Sequence, residues 1–528
     1  MTARALRIGG ATVPVVLPSI RDPRLHVAAV IITIHVFGQV GLHFRISVPQ
    51  ILAAIVTCAV LEVAITFRQS RALVWPASAM LTGSGVALIL RVVGTPPDDP
   101  WNTFAWYIFA AVAGLSLLTK YVIRWRGSHL FNPSNIGLVV AFLVLGSTVV
   151  EPLDFWWAPL NGWMVASYAI IIGGGLLITR RLRLLALAGA FWAVFAAGIG
   201  LLSLSGHCMI ARWAFEPVCG GDYWRVIVTS PEVLIFLFFM ITDPKTVPAG
   251  QVGRVVFAAL VAVASVLLMA PQTDEWGTKV ALLAGLVVLC AVRPLVERFM
   301  PEPSSTADDL RALPARLASG GSGPGLGRGL ARSALAVFAV LALGVAIVAA
   351  GVPARGPVAP AGSAEIMNRL PEQIDPATFP TITADVPAWT TTTTEPAAQA
   401  ILVTLAENLE LENQALLDRD VSILEAVDHG DRLAEMRARL AEAEATGEAV
   451  VRHYAFDEVH VVLIQPFGVQ SSSSLGFESR GTLVEERYDE TGDLISRESG
   501  PFQQTFVVRR PFGDRWMIVA VLPEAPAP

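Results

Sequence analysis

Lysine is nearly missing from this 528-residue sequence: Lys120, Lys245 and Lys279 stand against 35 arginines among 38 basic residues. The bias reads as the codon usage of a GC-rich genome, and it draws the eye to each lysine that remains. Charge of either sign is scarce, at 16% of residues, and the net charge of −6 identifies no partner. No basic stripe alternates with aromatics, so nucleic acid is not an expected partner. There are four cysteines, no Cys-x-x-Cys pair and no His/Cys cluster at ligand spacing. No metal site is expected. A P-loop, a Rossmann glycine pattern in context and a Ser/His/Asp set are also lacking.

What the chain does have is apolar length. Hydrophobic residues make up 54% of it, and its mean hydropathy is +0.58. Runs near twenty residues mark a polytopic α-helical membrane protein. Residues 25–42 form the first, too long for a signal h-region and followed by no small-residue cleavage site. Further spans are expected near 48–66, 73–92, 104–122, 135–150, 162–179, 184–204, 225–241, 254–270 and 278–296. These ten define a membrane domain over 25–300, after a cytoplasmic N-terminal segment, 1–24. A flexible linker, 301–332, leads to an eleventh span at 333–352, and a Pro/Ala/Thr-rich tether, 353–394, leads to a final domain, 395–528.

Loop charge alternates. Arg68 and Arg71, then Lys120, Arg124 and Arg126, then Arg180, Arg181 and Arg183, then Lys245 and Arg254, then Arg293 and Arg298 fall in every second loop. The positive-inside rule places these loops and the N-terminus in the cytoplasm, and the C-terminal domain outside. Cys208 and Cys219 share one outer loop, where a disulfide is feasible.

Two polar-proline breaks interrupt the apolar runs on the cytoplasmic side, Phe131-Asn132-Pro133-Ser134-Asn135 and Phe238-Phe239-Met240-Ile241-Thr242-Asp243-Pro244-Lys245-Thr246. Proline cannot continue a helix, and the flanking Asn, Ser, Thr and Asp side chains suit orphan backbone groups at helix ends. The same positions suit a ligand. A helix N-terminus after Asn132 offers N–H groups to a phosphate or ring, and a C-terminus before Asp243 favours a cation, which Lys245 supplies. A third break follows Thr82-Gly83, at Thr95-Pro96-Pro97. Its match with Thr242-Asp243-Pro244 is what an inverted repeat of two five-span halves predicts. Glu62 lies mid-span and is a functional candidate unless it pairs with a partner such as Thr66 or a histidine. Glu232 lies nearer a span end. Gly173-Gly174-Gly175 reads as close helix packing.

Together these segments resemble the RnfD/NqrB family, the flavin-bearing membrane subunits of bacterial ion-coupled electron transport complexes. The Phe-Phe-Met-x-Thr-Asp-Pro-x-Thr motif stands at Phe238–Thr246 with Gly253-Arg254 behind it. The Phe-Asn-Pro-Ser motif stands at Phe131–Ser134, the Thr-Gly helix at Thr82-Gly83, and a closing Pro-Leu-Val-Glu at Pro294–Glu297. The resemblance covers about residues 25–300. It implies electron transport, with Asn132, Ser134, Asn135, Thr242, Asp243, Lys245, Thr246 and Thr82 around FMN or riboflavin, and with other electron-transport subunits as partners. The family's flavin-bearing threonine segment has no counterpart: Ser230-Pro231-Glu232-Val233 stands before the Thr-Asp-Pro span, so a flavin is expected to be non-covalent. The short 146–161 loop looks like the UnbU-type homologues found with enediyne biosynthesis genes. A permease-like protein, or a scaffold whose outer domain recruits an extracytoplasmic protein, is the alternative.

The last domain reads as two amphipathic helices over 396–446 followed by strands near 450–465, 476–488, 494–500, 502–510 and 516–522. This order resembles the nuclear transport factor two superfamily. No convergent His/Asp pair stands out, which favours binding over catalysis.

Overall fold

The computed structural model describes residues 2–8, 11–96, 99–153, 155, 160–310, 326–356, 363–366, 374, 376–389, 393–464, 472–513 and 515–523. Pro97 of the third break, and parts of the 146–161 loop and of the 353–394 tether, lie outside them. The chain divides into two units, Met1–Cys208 with Cys219–Arg355, and Met209–Val218 with Gly356–Pro528.

In the first unit the N-terminal segment is not plain coil. Strands β1 (Thr2–Ile8) and β2 (Ala11–Leu17) form an antiparallel hairpin, and β2 runs parallel to β3 (Leu73–Val74). The helices then follow the apolar runs: α1 (Pro23–Val40), α2 (Val48–Ser70), α3 (Ala77–Ile89), α4 (Trp106–Val122), α5 (Pro133–Leu145), α6 (Gly162–Arg181) and α7 (Leu185–Leu204). Their starts are written in the sequence. Asp22, Asn132 and Asn161 each accept an N–H from the first turn they cap, and Ser47 and Gln50 form a reciprocal capping box. The run expected over 225–241 is broken into α8 (Gly220–Thr229), α9 (Pro231–Ile235) and a π-helical turn, Phe236–Met240. Ser230 ends one helix with extended backbone and caps the next, and Pro231 opens it. Helices α10 (Gln251–Met269), α11 (Glu275–Val296) and α12 (Leu326–Ala350) complete the unit.

Among the described residues, seven helical stretches are long and apolar enough to cross a bilayer. The chain is a polytopic membrane protein. The segments expected at 73–92 and 135–150 are shorter as helices, because α3 and α5 have 13 residues each. The remainder is strand: β4 (Leu90–Val92) pairs antiparallel with β7 (Val150–Pro152), and every residue of both is buried. Across this pair Arg91 meets Glu151 at 2.9 Å. Unhydrated backbone must find its partners inside the protein, and the two helix ends find them in each other. A second small hairpin, β5 (Arg124–Trp125) with β6 (Ser128–His129), precedes α5. Strands β8 (Cys208–Met209) and β9 (Val218–Cys219) carry a Cys208–Cys219 disulfide, with Cα atoms 4.2 Å apart. The linker after residue 300 is partly docked: Asp308 Oδ1 accepts the Val252 N–H at 2.9 Å at the start of α10.

Short helices at Ser363–Ile366 and Asp385–Trp389 precede the main part of the second unit, and where two helices were expected over 396–446 there are three, α13 (Glu395–Asp418), α14 (Val421–Val427) and α15 (Gly430–Thr446). They pack on a five-stranded sheet in the order β10 (Thr381–Ile382), β11 (Ala449–Ile464), β12 (Ser474–Tyr488), β13 (Leu494–Arg509), β14 (Met517–Pro523). The stretch expected to be an unstructured tether therefore contains a strand, β10, parallel to β11. The two strands expected at 494–500 and 502–510 are one, with Pro501 opposite Thr482. Leu402, Leu405, Leu409, Val461, Phe477 and Phe506 fill the core between helix and sheet. The segment Met209–Val218 belongs to this unit: Phe215 packs its ring 5.3 Å from that of Trp516, and Glu216 pairs with Arg510 at 3.3 Å.

Candidate functional site

The Thr-Asp-Pro break is built by the π-helical turn before it. A π turn inserts one extra residue, shifts the register of all that follows, and is frequent at functional sites. Thr242 returns its hydroxyl to the Phe238 carbonyl at 2.5 Å. Asp243 then forms a tight turn, with Oδ1 accepting the Lys245 N–H at 3.0 Å and its carbonyl accepting the Thr246 hydroxyl at 3.0 Å.

The Phe-Asn-Pro break comes directly against it. Asn132 donates Nδ2–H to the Met240 carbonyl at 3.2 Å, while its Oδ1 accepts from the Asn135 N–H and the Ser134 hydroxyl. Asn135 donates to the Leu283 carbonyl of α11 at 3.0 Å and is 1% exposed. His129, on β6, brings Nε2 within 3.0 Å of Asp243 Oδ2. From α11, Arg293 donates Nη1–H to the carbonyls of Lys245 and Thr246 at 3.2 and 2.7 Å, and its Nε–H to Glu297 at 2.6 Å.

The structure thus gathers seven of the eight sequence-derived residues, Asn132, Ser134, Asn135, Thr242, Asp243, Lys245 and Thr246, at one end of the bundle. Thr82 is the eighth. Its hydroxyl is spent on the Ser78 carbonyl of its own helix, and it bonds neither break among the described residues. His129 and Arg293 complete the cluster and went unassigned in the sequence. His129 lies 114 residues from Asp243, so only its place just before Phe131 could have pointed to it.

A flavin held here would need free donors and room for a ring. Asn132 instead bonds the Met240 carbonyl across the joint, the Thr242 and Thr246 hydroxyls are spent on carbonyls of their own segment, and Arg293 donates to the carbonyls of the turn. The exposed group is Lys245. The residues as folded do not fit a ring between the breaks; they fit a joint between two interrupted helices, with one cation facing outward.

At the other end of the same broken helix lies a cavity of about 40 Å³ lined by Leu88, Pro152, Phe155, Glu232, Phe236 and Lys279, among others. Glu232, next to the Ser230-Pro231 break, accepts the Phe155 N–H at 3.0 Å and pairs with Lys279 at 3.2 Å; Lys279 also meets Glu275 at 2.6 Å. Glu62 is likewise paired, but with neither Thr66 nor a histidine through its carboxylate: Lys120 Nζ donates to it at 2.8 Å, and Tyr121 donates its hydroxyl. Lys120 and Lys279 are thus both intrabundle counter-ions. Metal-binding groups of three or more His, Cys, Asp or Glu are absent among the described residues.

No family model matches the chain. It is 24% identical over 278 residues to the D component of the ion-translocating oxidoreductase complex of Sodalis glossinidius (strain morsitans), covering 40% of this chain and 74% of that protein. The same component from Alcanivorax borkumensis is 23% identical over 230 residues, 34% of this chain and 63% of its own length. That of Escherichia coli (strain K12 / DH10B) is 24% identical over 241 residues, 35% and 65% respectively. These distant, partial relatives support the resemblance carried by the two break motifs. The matched stretch spans 63% to 74% of the length of these three relatives.

Proposed function

We propose that this chain is a membrane subunit of an RnfD/NqrB-like electron transport assembly in a bacterial inner membrane, working alongside other subunits. The observation that carries the reading is the joint itself. The two motifs shared with the family, more than a hundred residues apart, meet through Asn132–Met240 and His129–Asp243. The test is purification in mild detergent with its neighbours tagged or quantified. Co-purification of electron-transport subunits, lost in a variant with both Asn132→Ala and Asp243→Ala that still folds, is expected. A chain that purifies alone under every mild condition refutes it.

Non-covalent FMN or riboflavin between the breaks, held by Asn132, Ser134, Asn135, Thr242, Asp243, Lys245 and Thr246, is the alternative to the unliganded joint that we favour. The mutual bonds of those residues argue against it. A colourless purified protein is the expected spectrum, and acid-extractable flavin at one equivalent would reinstate the cofactor.

We further propose that the second unit lies outside the cytoplasm and is a binding module of the nuclear transport factor two type, in a chain of the UnbU-type branch. The Cys208–Cys219 disulfide beside the segment this unit incorporates supports the placement, and the helix-on-curved-sheet order supports the type. Protease added to right-side-out spheroplasts should cut within 449–523. Protection there, with cleavage only after lysis, reverses the orientation. Loss of a co-purifying partner on deleting residues 365–528 is the signature of the scaffold reading.

A further inference from the structure

In the second unit, α14 stops at Val427, and the next two residues bind the edge of the sheet. The Asp428 N–H returns to the Leu424 carbonyl at 2.8 Å, Asp428 bridges to Ile518, and the His429 N–H reaches the Ile518 carbonyl at 2.9 Å. This fixes the Asp428 backbone and leaves its side chain 1% exposed. Two more charged groups are buried with it, Glu412 of α13 and Arg432 of α15, each 3% exposed.

The donors do not suffice for the acceptors. Arg432 spends Nε–H and Nη2–H on the two oxygens of Glu412, at 2.7 and 2.5 Å, and Nη1–H on Glu435 at 2.9 Å. Neither carboxylate oxygen of Asp428 has a donor among the described residues. Of the other charged groups near the cluster, two are engaged elsewhere, and the third, Arg509, keeps an unpartnered Nε among the described residues but gives no donor to Asp428. Arg439 of α15 donates to the Val450 carbonyl, Arg452 of β11 to Glu485, and Arg509 of β13 approaches the His429 ring at 3.5 Å. Tyr454 of β11 adds no positive charge. Three carboxylates thus share one guanidinium. An ionised carboxylate buried without donors is prohibitively costly, and a protonated one becomes a donor itself. Its neighbour Glu412 is an acceptor.

We propose that Asp428 and Glu412 share one proton in the native state, making this cluster a buried proton-binding site of the second unit. The Asp428 O–H donates to the Glu412 carboxylate, which keeps its ion pair with Arg432. Burial first, and the Glu412 charge second, push the Asp428 carboxyl well above the ordinary carboxylate range. The sign is the reverse of the usual acid. The unfolded chain releases this proton near pH ~4 and the native chain holds it. Stability is full below that value and falls as pH rises towards the native one, by up to about tenfold in the unfolding constant per pH unit.

The test is hydrogen exchange by mass spectrometry on the full chain in detergent, from about pH 5 to about pH 9, reading peptides within 400–446 and corrected for intrinsic rates. Wild-type protection should decline as pH rises, and that of Asp428→Asn, which supplies a donor with no charge, should not. Parallel pH profiles overturn the proposal. A second measurement does not depend on the variant folding. Carboxyl-¹³C aspartate labelling should reveal an isotope-shifted infrared band of a protonated aspartate in neutral solution, and its absence would overturn the proposal equally.

Discussion

The glycine run in α6 offers a test of how the π-helical turn is seated. Gly173, Gly174 and Gly175 are consecutive, yet they face different surroundings. A Cβ on Gly173 would meet nothing within 4 Å, whereas one on Gly175 would lie 2.3 Å from Phe238 Cγ. Cγ is the root of the ring, and a χ1 rotation that clears it sweeps the whole buried ring into packed neighbours, so the π turn must give instead. Restoring contact from 2.3 Å to the 3.4 Å lower edge of ordinary packing requires the two elements to part by about 1.1 Å. Overpacking of this kind costs about 1–3 kcal/mol, and alanine regains roughly 1 kcal/mol of helix propensity over glycine. Gly175→Ala should therefore lose up to about 2 kcal/mol net, and Gly173→Ala should gain up to about 1 kcal/mol. Thermal unfolding of both variants in the same detergent, followed by size-exclusion of the surviving monodisperse fraction, compares them directly. If the two variants shift in the same direction by the same amount, α6 does not seat the π turn through Gly175.

Other parts of the chain give equally direct outcomes. Arg293→Ala strips the donor from the Lys245 and Thr246 carbonyls and should cost about 1–3 kcal/mol, measured as a lowered unfolding midpoint. Lys120→Met leaves Glu62 charged inside the bundle and should cost about 3 kcal/mol, while adding Glu62→Gln should return most of it; equal losses in the single and double variants would refute the pairing. Reducing Cys208–Cys219, which closes an 11-residue separation, should lower stability by up to about 3 kcal/mol, seen as a midpoint shift with reductant that Cys208→Ser does not show. Burial opposes charge on Asp308, but N–H donors from Val252, Gln251 and Ser304 outweigh it and hold the carboxyl below its usual value. Its stabilisation is therefore present above the unfolded value of about 3.9 and is lost as pH falls through the folded one. Asp308→Asn should cost about 1 kcal/mol at neutral pH, a difference that disappears in acid.

Much of this was legible in the sequence, and the exceptions have physical causes. Hydropathy located the apolar helices, since a run near twenty apolar residues has few other uses. It could not see that Leu90–Val92 and Val150–Pro152 are strands, because buried strand and buried helix are equally apolar over three residues. The boundary at Ser230-Pro231 was missed because the residues on both sides of it form one apolar run over 225–241; the π turn after it left no mark, being a matter of hydrogen-bond register. The break motifs named most of the joint. They could not name Arg293 or His129, whose roles depend on contacts across the bundle. Glu62 was identifiable as an oddity inside a span, but Lys120, 58 residues away, was one charge among several at a span end. In the second unit, Gly500-Pro501 read as a chain break, yet a proline is tolerated where the ladder needs no N–H from it.

The β4–β7 pair also bears on how the chain spans the bilayer. Thirteen helical residues span about 20 Å, against a hydrocarbon core of about 30 Å. Neither α3 nor α5 can be released into lipid alone without exposing the polar backbone that follows it, with Arg91 or Glu151 attached. Each supplies what the other lacks. In the folded state the two short helices therefore cross the bilayer as a pair, each completed by the strand of the other.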